Sequence, residues 1–186
     1  MKQSLTKAII VILLLFCILT LLYQISIATE RGQEYPIDLS LKGRVAKIVV
    51  HKQKRILELY DDKNKLLKSY PHIALGKNPQ GHKEFEGDSK TPEGLYYIDS
   101  KNPKSRYFLN LGISYPNKLD IANAKKHNKN AGGDIKIHGL PNGMNIAKEL
   151  FKQYGDWTDG CIALDNASMK ELYEVISINT PIYILP

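Results

Sequence analysis

From Ala8 to Leu22 the chain runs AIIVILLLFCILTLL without a charge, preceded by Lys2 and Lys7 and extended by a mostly apolar tail to Ala28. A run of this kind enters a membrane. Alone it is shorter than the roughly 20 residues that span a bilayer, but Tyr23 to Ala28, with Gln24 as its strongly polar residue, brings it to that length. It therefore reads as an uncleaved anchor in the lipid bilayer through residues 8 to 28. Ser26-Ile27-Ala28 also suits signal peptidase, so a removed signal stays open. Cys17 follows Phe16, where a lipoprotein signal wants a small residue, and is not read as a lipidation site. On either reading the two lysines stay cytoplasmic and everything after about residue 29 is exported. The expectation is a single-pass protein of the inner or cytoplasmic membrane with its domain on the periplasmic or cell-wall side, or a secreted one if the segment is cleaved.

The remainder of a 186-residue chain is the size of one domain. A hydrophobic fraction of 43% and a charged fraction of 24% exclude intrinsic disorder and a multispan membrane protein. Without Lys2 and Lys7 the chain still carries 24 basic against 19 acidic side chains, so the exported part is basic. A basic surface favours anionic polymers of the envelope, although scattered lysines more often only solvate a domain. Nucleic acid is not an expected partner: the place is wrong, and there is no Lys/Arg block with interleaved aromatics, no zinc-finger spacing and no Gly-Lys-Ser/Thr phosphate loop. No His-x-His, His-Glu-x-x-His or paired-Cys spacing points to a metal.

Residues 29 to 43, with Glu30, Arg31, Gly32, Pro36 and Gly43, read as a linker, and the domain spans 44 to 186. Val45 to His51 and Arg55 to Tyr60 predict a hairpin about the basic turn Lys52 to Lys54, and Leu66 to Leu75 a third strand. Gly76 to Gly94 is crowded with Gly, Pro and charge and predicts a long functional or mobile loop. Leu95 to Asp99, Tyr107 to Ser114, Asp134 to His138 and Pro181 to Leu185 predict further strands. Helices are predicted over Leu119 to Asn128, Asn145 to Tyr154 and Ala167 to about Ile176, the last capped by Asn166. Strands outnumber helices, so the fold class is mainly β with a few appended short helices.

With Cys17 in the apolar segment, the exported part has Cys161 alone, and no intramolecular disulfide is available to it. A solitary exported thiol is an intermolecular link, a reactive group or a buried inert hydrophobe. Its neighbours favour reactivity. An unperturbed thiol is only a few per cent ionised at pH 7, so an imidazole is its usual activator, and His138 stands at the end of the strand Ile135 to Ile137. Gly160 before Cys161 permits a tight turn that lets a substrate approach the backbone. Each feature also has an ordinary use: a structural His, turn glycines at 139 and 160, a solvated Asp159, a core Trp157.

The string Ile137-His138-Gly139, followed by Thr158-x-Gly-Cys-Ile at 158 to 162, resembles the L,D-transpeptidase (YkuD-type) catalytic domain of bacterial cell-wall enzymes. Gly87-Asp88 with Thr91-Pro92-Glu93-Gly94-Leu95-Tyr96, and Leu111 to Asn117, resemble further family segments, the latter in its shorter murein branch. The resemblance covers about 44 to 186 and implies an L,D-transpeptidase-like β-sandwich. It implies further that Cys161 attacks a carbonyl of a peptidoglycan stem peptide, at the third residue, usually meso-diaminopimelate. The terminal D-Ala leaves, and the thioester passes to the side-chain amine of a second stem, cross-linking the wall. His138 moves the protons, the Gly139 carbonyl orients His138, and the N–H groups of Gly160 and Cys161 hold the oxyanion, with no cofactor. Tyr115, Trp157, Thr158 and Asp159 are the implied substrate-binding residues. Many relatives read Ser-His-Gly-Cys-x-Arg where this chain has Asp159 and Ala163. That departure keeps open an L,D-carboxypeptidase or amidase that uses water as acceptor, or a non-catalytic wall-binding module.

Overall fold

The computed structural model describes residues 2–32, 37–144 and 152–186, and in the first stretch the side chains of 9–25. Eight strands are described: β1 (Lys47–His51), β2 (Ile56–Tyr60), β3 (Leu66–Pro71), β4 (Gly94–Asn102), β5 (Asn110–Ile113), β6 (Lys136–His138), β7 (Ile162–Ala163) and β8 (Pro181–Leu185). Among the described residues the helices are α1 (Lys2–Gly32), α2 (Lys118–Lys126) and α3 (Asn166–Val175), besides 3-10 turns at Leu39–Leu41 and Lys152–Tyr154. The mainly β expectation holds. The sandwich is more accurately one curled sheet of strand order β3-β2-β1-β8-β4-β5-β6-β7. Strand β4 serves both halves, pairing with β8 through Gly94–Tyr97 and with β5 through Ile98–Asn102, and its register shifts between Ile98 and Ser100.

Period-2 alternation decides which face is inside. Ile48 and Val50 of β1 stand opposite Leu59 and Leu57 of β2 on one side and Ile182 and Ile184 of β8 on the other. All six are buried, as are Tyr96, Ile98, Leu111, Ile137 and Ile162 further across the sheet. Each such side chain contributes about 1.5–3 kcal/mol of burial. Met169, Leu172 and Val175 of α3, at helical spacing, join the same core. The cap of α3 is Asp165, not the expected Asn166: the Asp165 carboxylate accepts the Ser168 N–H at 2.9 Å. At the other end of α3, Lys101 Nζ donates to the carbonyls of Tyr173 and of Ile176, the latter at 3.0 Å, and lies 4.5 Å from the Tyr173 ring centroid. Lys101→Met is expected to lower stability by about 1 kcal/mol, read as a shifted urea midpoint with unchanged slope, because unsatisfied helix-end carbonyls lose a cationic donor.

The stretch 76–94 is not a loose loop. The Asp88 carboxylate accepts the peptide N–H groups of Glu84, Phe85 and Lys90 and the ammonium of buried Lys83 at 2.8 Å. Lys52, read from the sequence as the start of a basic turn, is buried, donating to Gly81 O, Thr91 O and Glu93 at 2.6–2.9 Å. These charges are turned inward and tie the stretch to the β1–β2 turn.

The predicted helix Asn145 to Tyr154 falls mostly outside the described residues. In α1 the large apolar side chains from Ile9 to Ile25 are exposed on every side, by 48% to 65%. Among the described residues no helix is long and apolar enough to cross a membrane, so the span expected from sequence is not established.

Candidate active site

Strands β6 and β7 run in parallel with Ile137 opposite Ile162 and His138 opposite Ala163. Paired residues share a face, so His138, Lys136 and Ala163 project to one side, and Cys161, one step before β7, continues that row. The segment around Cys161 is framed by the ledge after β3. Ala74 and Ala163 exchange backbone hydrogen bonds at 2.9 and 2.8 Å, Thr158 N–H donates to Leu75 O, and Lys77 N–H donates to Thr158 O. Asp156 accepts the Leu75 N–H at 2.9 Å and is gripped by Arg55, Nη2 to Oδ2 at 2.6 Å. Gly76 N–H donates to the hydroxyl of fully buried Thr91 at 3.0 Å, which gives the Thr91 motif a structural task.

His138 and Cys161 line one cavity of about 550 Å³ together with Tyr107, Asn110, Trp157, Thr158 and Asp159, among others. The imidazole is buried, 4.6 Å from the Tyr107 ring and edge-on to Trp157 at 5.5 Å. Its Nδ1 lies 2.7 Å from Gly139 O. A carbonyl only accepts, so Nδ1 carries the proton and Nε2 is left as the basic nitrogen. Gly139 is held in turn: its N–H reaches Tyr107 O and Leu109 O, and the next N–H, of Leu140, donates to Asn166 Oδ1 at 2.8 Å. A Cβ at 139 would meet Asn166 Oδ1 at 2.6 Å and Phe108 Cβ at 3.0 Å, so a side chain here displaces the amide that holds the Leu140 N–H.

Burial, only partly offset by the bond to Gly139 O, pushes the His138 imidazole down to about 4. Burial likewise pushes the Cys161 thiol up, against the Lys136 peptide N–H and ammonium, which favour the thiolate. The resting pair is thus neutral thiol and neutral imidazole, so His138 meets the thiol as a base rather than as the counter-ion of a thiolate. The thiol donates to Asp134 O at 3.7 Å. Iodoacetamide is therefore expected to label Cys161 slowly at pH 7 in the absence of substrate, with a rate that climbs only above the ordinary thiol range of about 8.5. A plateau already reached at pH 7, measured by mass spectrometry of the labelled peptide, contradicts this electrostatic picture.

Other expected site residues fall differently. Thr158 is a buried brace, accepting the Gly160 N–H at 3.1 Å and donating to Cys161 O at 2.7 Å. The Gly160 N–H, expected to hold an oxyanion, is thereby engaged. Asp159 pairs with Lys77 at 2.9 Å, both exposed, and from the rim of the cavity its charge adds to the upward push on the Cys161 thiol. Tyr115 does not belong to the lining: it is buried against Tyr96 and its hydroxyl donates to Ala131 O at 3.0 Å. The lining residues that sequence reading missed are chiefly Lys77, Lys104, Arg106, Tyr107 and Lys136. For Lys136 the signal was present, since alternation in Asp134 to His138 puts it on the face of His138.

Known proteins resemble this chain over most of its length. YafK of Escherichia coli K12 is 29% identical over 157 residues, which is 82% of this chain and 54% of YafK. The crystal structure of the helical cell shape determining protein Pgp2 from Campylobacter jejuni matches at a TM-score of 0.57 and 28% identity, over 87% of this chain and 54% of that one. Bd1075 of Bdellovibrio bacteriovorus matches at 0.52 and 26%, over 81% and 50%. The chain thus spans about half the length of these relatives. Residues 46–184, from the start of β1 nearly to the end of β8, match the model of the YkuD L,D-transpeptidase catalytic domain, and the chain belongs to that family.

Proposed function

We propose that the chain is a cysteine-dependent acyltransferase acting on peptidoglycan stem peptides. The observation that carries this reading is the shared cavity of Cys161 and His138, with Nδ1 fixed on Gly139 O so that Nε2 is the free base. Kinship with a protein that determines cell shape agrees with work on the wall. On binding, the Cys161 side chain turns from Asp134 O toward the imidazole. Sγ attacks the stem carbonyl while its proton passes to His138 Nε2, and the imidazolium then gives that proton to the departing amine as the C–N bond breaks. With Gly160 engaged by Thr158, the Cys161 N–H is the remaining expected donor for the oxyanion. In the second half the acceptor amine, or water, gives a proton to Nε2 and attacks the thioester, and sulfur leaves and recovers the proton.

Incubation of the full chain with a synthetic tetrapeptide stem is expected to raise its mass by one acyl-tripeptide, mapped to the peptide containing Cys161. No adduct, or an adduct elsewhere, ends this reading. Product analysis then identifies the acceptor: a cross-linked dimer means transfer to an amine, a free tripeptide means hydrolysis.

The evenly apolar surface of α1 supports a tether that holds the domain at the outer side of the cytoplasmic membrane. The native chain is expected to stay with membranes through alkaline carbonate and to be released by detergent; recovery in the soluble fraction rejects the tether.

A further inference from the structure

A sulfur that must become an anion in a buried place needs a cation close by, and β6 supplies one. Alternation places Lys136 on the face of His138, and extending the pairing of β6 with β7 by one residue sets it level with Cys161. Of the four cations that line the cavity among the described residues, Lys77, Lys104 and Arg106 are exposed and Lys136 is half-buried. Its side chain is 26% exposed against 59% for Lys77, so its charge is the least screened by water. The peptide N–H of the same residue bonds the sulfur as well. One carboxylate opposes it. Lys136 Nζ donates to Asp134 Oδ1, and the Asp134 carbonyl accepts the resting thiol at 3.7 Å. Asp134 stands in the left-handed region, φ +61°, just ahead of β6, with its side chain in solvent. Two residues of one strand entry thus meet the sulfur with opposite charges. Of the other groups that face it, Asp159 is paired with Lys77 and His138 is neutral at rest.

The reaction makes and removes charge on this sulfur twice. In acylation the S–H bond breaks, its proton goes to His138 Nε2, and Sγ bonds to the carbonyl carbon. In the second half the S–C bond breaks, and Sγ leaves with the electron pair and takes the proton back from the imidazolium. Resting on the acyl-transfer reading above, we infer that Lys136 is a catalytic residue that stabilises the sulfur anion in both halves, and that Asp134 is its counterweight at rest. The same ammonium favours the neutral ring of His138, so an imidazolium formed beside it gives its proton up readily to the leaving amine or to sulfur.

The test needs no stem peptide. Iodoacetamide is uncharged, so its rate follows the thiolate and not attraction of the reagent to a cation. In the detergent-solubilised full chain, Lys136→Gln is expected to slow labelling of the Cys161 peptide at pH 8 about three- to tenfold. Asp134→Asn, which keeps a residue type at ease with positive φ, is expected to speed it by a similar factor of about three to ten. Lys136→Arg stays within about twofold of the native chain, because the charge is kept, and Lys136→Gln combined with Asp134→Asn returns toward the native rate. A merely displaced thiol would move both single variants the same way. No change in either, a change in the same direction in both, or a Lys136→Arg as slow as Lys136→Gln overturns the proposal. Shifts of the expected opposite signs, in a protein that forms no thioester with a tetrapeptide stem, sustain the hold of Lys136 and Asp134 on the sulfur and remove the acyl-transfer reading instead.

Discussion

Cys161→Ala is expected to abolish the acyl adduct, and His138→Gln to slow its formation by about 10²–10⁴-fold while leaving stem binding nearly intact. The two substitutions separate the nucleophile from its base. Glutamine keeps an amide donor for Gly139 O but has no basic nitrogen to take the thiol proton, and the thiol, raised by burial, is nearly all protonated at pH 7. The pH profile carries the sharper content. With the free imidazole held down to about 4 by burial, kcat/KM for acylation is expected to lose its acid limb near pH 4, not near the ordinary histidine value of about 6.5. An acid limb at pH 6 to 7 means that the ring is solvated, or charged by a partner, and the neutral-pair mechanism falls. Stability answers to the same group. Between about 6.5 and about 4 the unfolded chain binds a proton at His138 that the folded chain does not, so stability decreases as pH falls through that window. The loss is about 3 kcal/mol in all, of order the shift itself, and His138→Gln should remove that component from urea melts taken across the window.

What was legible in the sequence is what local periodicity encodes. The apolar runs Val45 to His51, Arg55 to Tyr60 and Pro181 to Leu185 told the strands, and the sheet buries every second residue in them, Ile48 and Val50, Leu57 and Leu59, Ile182 and Ile184, because one side of it is covered. The order of His138, Gly139, Gly160 and Cys161 named candidates, of which His138 and Cys161 meet in one cavity by a long-range contact, β6 lying beside β7. A two-residue strand has no period to read, so β7 was missed. Asn166 looked like a cap because that residue type caps; its amide oxygen instead takes the Leu140 N–H, a partner distant in sequence. The stretch 76–94 looked mobile because Gly, Pro and charge usually mean solvent, but Lys83, Asp88 and Lys52 find buried partners that composition does not reveal. Tyr115 was misassigned for the same reason: an aromatic beside a motif does not announce which way it points, and its hydroxyl is spent on Ala131.

Gly160→Ala is expected to cost at least about 3 kcal/mol, a fall of roughly 6–12 °C in Tm, and to impair acylation even where the chain is folded. Position 160 has φ +135°, which a side chain disfavours, and a Cβ there would meet Lys90 O at 2.7 Å and Ile135 Cδ1 at 3.1 Å. The carbonyl has little room to retreat. Lys90 N–H is fixed on Asp88 at 3.0 Å, and the Thr91 hydroxyl next to it accepts the N–H of Gly76. Gly76 is itself pressed between these chains: a Cβ there would lie 2.1 Å from Ser89 O and 3.2 Å from the Gly160 Cα. Three backbones thus touch behind the nucleophile, and any methyl group between them moves Cys161, whose carbonyl hangs on Thr158 Oγ1. Gly155, a few residues earlier, isolates the backbone component. It too has positive φ, +61°, but open space where a Cβ would stand, so Gly155→Ala should cost only about 1 kcal/mol. Melting the two variants side by side decides the matter. If Gly160→Ala unfolds within a degree or two of Gly155→Ala and acylates normally, the close contact of strands behind Cys161 does not exist as described, and the positioning of the thiol by Gly76, Lys90 and Gly160 is wrong.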